Sequence, residues 1–114
     1  MGDEAEGASR RLGPDVLDAI VARVVRAAEP ERVILFGSAA RGSMGPNSDV
    51  DLLVVKAGQY DKWRVMDDIY HSLLGVGQAV DVVVVTPEEV ERYGRTHCLV
   101  IKPALEEGRV VYGA

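Results

Sequence analysis

Two six-residue runs, Val50 to Val55 (Val-Asp-Leu-Leu-Val-Val) and Val80 to Val85 (Val-Asp-Val-Val-Val-Val), limit what this chain can become. Apart from one acid each they are apolar at every position, a pattern that a strand tolerates when both of its faces are covered. Arg32 to Phe36 is another β-rich run, stopped by Gly37, and Arg109 to Tyr112 is a short fourth. Helical patterns separate them. After Pro14, the residues Val16, Leu17, Ile20, Val21, Val24, Val25 and Ala28 recur at helical spacing and predict an amphipathic helix ending near Glu29 and Pro30. Val65, Ile69 and Leu73 mark a second helix over Asp61 to Leu74, stopped by Gly75 and Gly77. Thr86, Pro87, Glu88 and Glu89 have the form of a capping box that opens a third. Pro103 interrupts the apolar segment from Cys98 to Leu105, which predicts a kinked or broken helix before the last strand.

Strands alternating with helices give an α/β fold, a small mixed sheet packed with helices. The link from Gly37 to Ser48 is too short for a helical crossover between parallel neighbours, so the first two strands are expected to be antiparallel. Residues 1–13 read as a flexible N-terminus, and 14–114 as one domain. A composition of 47% hydrophobic and 27% charged residues belongs to ordinary folded, water-soluble chains. A net charge of −5 argues against stable binding to nucleic acid, because phosphate is repelled. Cys98, alone, forms no internal disulfide, and His71 and His97 have no partner at metal-ligand spacing. No segment approaches the roughly 20 apolar residues of a membrane span and no signal peptide is evident, so the cytoplasm is the expected location.

Chemistry concentrates between Leu35 and Val54. Gly37 allows a turn and close approach of a ligand at a strand end, and Ser38 after it offers a hydroxyl beside the free amides of a short helix, a site for phosphate oxygens. Arg41, three residues beyond Ser38, presents a guanidinium fork that can reach the same phosphates. Asp49 and Asp51 are two residues apart at the entry to a strand, with both carboxylates on one face and Cα atoms ~6.6 Å apart. Their mutual repulsion is relieved by a divalent cation. Asp81 is the one charged residue between Gly75 and Val85 and precedes four valines, where an acid adds nothing to a core. If its strand neighbours that of Asp51, three carboxylates form an oxygen-rich site suited to Mg²⁺. Tyr60, Trp63 and Tyr70 lie on or near an amphipathic helix and are read as packing residues without a site role.

Gly37, Ser38, Arg41 and Gly42, followed by Ser48, Asp49, Val50, Asp51 and Leu52, resemble the signature of the DNA polymerase beta-like nucleotidyltransferase superfamily, with Asp81 in the place of its third carboxylate. The chain's size and its ending, Glu107 to Tyr112, are more narrowly similar to the minimal nucleotidyltransferases of prokaryotes. That resemblance implies a polymerase beta palm-like fold, two Mg²⁺ ions held by Asp49, Asp51 and Asp81, and ATP or another NTP as substrate, with Gly37 and Ser38 on the β- and γ-phosphates. It also implies a small helical HEPN-type partner, a toxin that such enzymes are thought to modify on a tyrosine hydroxyl while acting as antitoxin. The alternative is a non-catalytic antitoxin or nucleotide-binding module that neutralises a partner by binding alone. Whether the chain forms a homo-oligomer is left open.

Overall fold

The structure, a computed structural model, describes residues 14–37, 40, 50–93 and 101–113. Helix α1 (Pro14–Ala28) leads into β1 (Arg32–Phe36), and β2 (Val50–Val55) is followed by α2 (Lys62–Ser72) and β3 (Val80–Val85). Helices α3 (Pro87–Tyr93) and α4 (Ile101–Glu107) precede β4 (Arg109–Tyr112). The four strands form one mixed sheet in the order β3-β2-β1-β4. As the short link requires, β1 and β2 are antiparallel, whereas β2 and β3 are parallel and joined through α2.

The apolar runs are explained by helices on both sheet faces. On one side Val33, Leu35, Leu52, Val54, Val82 and Val84 pack against Ile20, Val24 and Ala28 of α1 and Val65 and Ile69 of α2. On the other, Ile34, Leu53, Val55 and Val85 meet Ile101 and Ala104 of α4, with Val90 of α3 beside them. The period of two along each strand assigns alternate residues to the two cores.

Helix ends follow from local chemistry. Glu29 adopts a left-handed conformation (φ 49°) immediately after α1 and terminates it one residue before Pro30. Asp61 caps α2 by accepting from the amides of Trp63 at 3.0 Å and Arg64 at 3.4 Å, so the helix begins one residue later than the apolar stripe suggested and ends at Ser72. In the capping box of α3, Glu89 N donates to Thr86 Oγ1 at 3.1 Å while Thr86 N donates to Glu89 Oε1 at 2.9 Å. Ile101 to Glu107 is continuous helix with Pro103 inside it; the part of the expected kinked or broken helix before Ile101 lies outside the described residues.

Long-range polar contacts tie the layers together. Arg23 of α1 donates to the carbonyls of Ser72 and Leu74 at the C-terminal end of α2, at 3.1 and 2.9 Å. Lys56, just after β2, donates to the terminal carbonyl of α1 at Ala28, at 2.6 Å. Cations at helix C-termini satisfy carbonyls that the helix itself leaves without donors.

Candidate functional site

Asp51 and Asp81 are register partners in the parallel β2/β3 ladder. Neighbouring strands run ~4.8 Å apart, and paired residues project from the same face, so the two carboxylates stand side by side. That face is the one covered by α4. Along β2 the sequence of residues on it is Asp51, Leu53, Val55, and along β3 it is Asp81, Val83, Val85. The four apolar residues of this set pack in or against the second core, whereas Asp81 is exposed and Asp51 partly so. The acids therefore stand beyond the sheet residues that the described part of α4 covers, which is how a charge is accommodated in an otherwise valine-rich strand.

Gly37 reaches the same place from β1. Phe36 pairs with Asp51, and Gly37 follows in a left-handed conformation (φ 75°). A Cβ at position 37 would collide with the Asp51 carboxylate, so both space and backbone conformation require glycine. Gly37, Asp51 and Asp81, far apart in sequence, are thus gathered at one end of the sheet. Ser38, Arg41 and Asp49 lie outside the described residues, as do 1–13, His97 and Cys98. Within 38–49 only Ala40 is described, helical and packed against the first core.

The two carboxylates supply hard oxygen donors, a chemistry that fits Mg²⁺ and does not fit a thiolate-seeking metal. Among the described residues there is no cluster of three or more His, Cys, Asp or Glu side chains able to hold a metal ion, and the third acid expected from the sequence is Asp49. The described grooves lie elsewhere. One of about 550 Å³ runs between α1 and β4, and one of about 280 Å³ lies beside Tyr60 and Glu89 near the opposite end of β2 and β3.

The aromatic residues divide. Trp63 is 72% exposed and does not pack as the sequence suggested. Tyr60 packs against the first core and donates from its hydroxyl to the Lys56 carbonyl at 2.8 Å. Tyr70 has a positioning contact that the sequence did not announce: its hydroxyl accepts from Val82 N at 2.9 Å, fastening the outer edge of β3 one residue beyond Asp81. The two residues belong to different elements, and no spacing pattern links them.

The sequence profile of the nucleotidyltransferase domain family matches residues 17–111. The chain belongs to this family. A Methanocaldococcus jannaschii protein that carries the name of a protein adenylyltransferase is 35% identical over 82 residues, covering 72% of this chain and 78% of the relative. A bifunctional uridylyltransferase/uridylyl-removing enzyme of Novosphingobium aromaticivorans is 34% identical over 103 residues, which make up 84% of this chain and 11% of that much longer enzyme. Among solved structures, a toxin-antitoxin complex with AMP-PNP aligns with a TM-score of 0.56 at 21% identity, covering 83% of this chain and 72% of the other. A nucleotidyltransferase from Sulfolobus solfataricus aligns with a TM-score of 0.50 at 21% identity, covering 89% of each chain. The expected nucleotidyltransferase fold is therefore the one observed.

Proposed function

We propose that this nucleotidyltransferase, with residues 14–114 as one domain in the cytoplasm, transfers AMP from ATP to a hydroxyl on a partner protein and serves as the antitoxin of a toxin-antitoxin pair. The observation that carries the reading is the in-register pairing of Asp51 with Asp81 beside Gly37, at an end of the sheet where Asp81 is exposed and Asp51 partly so. Support for a protein acceptor comes from the M. jannaschii relative named for protein adenylyltransfer, and for the pairing from the toxin-antitoxin structures of the same fold. We extend the partner to a small helical HEPN-type toxin and the acceptor to one of its tyrosines.

In this reading Asp49, Asp51 and Asp81 hold two Mg²⁺ ions, which offset the charge of the triphosphate and polarise the α-phosphate. Gly37 and Ser38 approach the β- and γ-phosphates with backbone amide and hydroxyl, and Arg41 pairs with the same oxygens. The acceptor oxygen forms a bond to the α-phosphorus as the bond to the β-phosphate bridging oxygen breaks, and pyrophosphate leaves. Asp81 takes the proton of the attacking hydroxyl. Docking of the partner supplies the orientation that a substrate pocket would otherwise provide, because an open sheet end has room for a protein surface.

Calorimetry tests the metal requirement. ATP should bind in excess Mg²⁺ and fail to bind in excess EDTA, since adjacent carboxylates repel a triphosphate in the absence of cations. Equal affinity in both conditions would refute the carboxylate site.

A further inference from the structure

The two edges of the sheet are treated differently. On β3 the outward Val82 N–H is satisfied by Tyr70, whereas β4, the other edge, has no strand or side-chain donor beside it among the described residues, and Val110 and Tyr112 on it are exposed. This four-residue edge carries the exposed Arg109 and a register irregularity opposite Val33 and Ile34, but neither proline nor lysine, so its outer backbone groups can still receive another strand. Beside it α1 carries more apolar surface than its core contacts use. Ile20, Val24 and Ala28 are buried, yet Leu17, Val21 and Val25 form a second ridge, only partly covered, that lines the 550 Å³ groove against Val111 and Tyr112.

The next ridge identifies the occupant. Asp18, Ala22 and Arg26 follow at i, i+4 and i+8, all exposed on the groove's outer lip, and neither charge has an ion-pair partner among the described residues. Opposite charges four residues either side of an alanine are self-complementary under a two-fold axis through that alanine. Two antiparallel copies of α1 place Asp18 of each against Arg26 of the other, with the small Ala22 side chains at the crossing point. The same axis, perpendicular to the sheet, pairs β4 with β4 antiparallel. Helix and strand contacts each call for a two-fold axis, the operation of an isologous contact.

We propose that a second copy of this chain occupies the α1/β4 surface, joining two four-stranded sheets edge to edge into one eight-stranded sheet with the Asp51/Asp81 ends of the two copies at its far reaches. The apolar ridges supply the attraction and the charge pairs fix the register.

Light scattering and sedimentation of the full chain test it. The expected mass is twice 12.3 kDa. Asp18→Arg or Arg26→Asp alone should weaken self-association roughly tenfold, because each turns two attractions into two repulsions. The double swap Asp18→Arg/Arg26→Asp should restore it, with circular dichroism unchanged throughout. Val21→Glu, on the apolar ridge, should give a folded monomer. A single-chain mass at submillimolar protein overturns the proposal, whether residues 1–13 or a different protein fills the groove. A dimer indifferent to both single reversals, or one that the double swap does not rescue, overturns it as well.

Discussion

Asp81 and Asp51 sit side by side in register but are assigned different work, and substitution separates the two. Asp81→Asn keeps the shape and a ligating oxygen while removing the proton acceptor, so it should retain much of the ATP affinity and lose transfer. Asp51→Ala should lose both, since that carboxylate, against which Gly37 packs, lies beside the proposed triphosphate site. Calorimetry with a transfer assay decides. An Asp81→Asn chain that binds as weakly as Asp51→Ala, or transfers at the parental rate, contradicts the division. Tyr60 carries a separate prediction. Burial first, then the Glu89 and Glu88 carboxylates, raise its phenol above the ordinary 10.0. Below that value the phenol is neutral in both states. Above it the unfolded tyrosine ionises first, so stability is lost as pH rises from 10.0 through the raised folded value. Denaturation midpoints should fall more steeply across the alkaline range for the parent than for Tyr60→Phe, and equal slopes would contradict this.

At the scale of elements, what the sequence disclosed depended on the reach of each interaction. The Thr86/Glu89 capping box spans three residues and was legible because both of its hydrogen bonds are local. Thr86→Ala should cost about 1 kcal/mol, the usual worth of an N-cap hydroxyl, read as a shift of the denaturation midpoint. No shift would mean that tertiary packing alone holds α3. The antiparallel β1/β2 pair was likewise legible, because chain length between Gly37 and Ser48 forbids the alternative. The effect of Pro103 depends on where its helix starts, and the residues before Ile101 that decide this lie outside the described ones, with Ile101 to Glu107 continuous helix. The contacts of Arg23 with the end of α2, and of Tyr70 with β3, join residues whose proximity exists only after the layers assemble. The exposure of Trp63 was hidden for a related reason: α2 has Val65 and Ile69 buried, and aromatic character by itself does not say which face a residue occupies.

For the whole molecule, the juxtaposition of Asp51 and Asp81 depended on a topological step, that β2 and β3 are neighbours, which a β-α-β unit through α2 makes natural. That step turned scattered acids into one candidate site, and membership of the nucleotidyltransferase domain family agrees with it. The described helices include none long and apolar enough to cross a membrane. What the described fold does not itself supply is the acceptor, which in the proposed function belongs to a partner protein. The direct measurement is the intact mass of the proposed partner, a small helical HEPN-type protein, after incubation with the chain, Mg²⁺ and each NTP in turn. One AMP should be added with ATP, and Asp51→Ala should abolish the addition. An unchanged partner mass, with full neutralisation of that partner by a chain carrying both Asp49→Ala and Asp51→Ala, would contradict it.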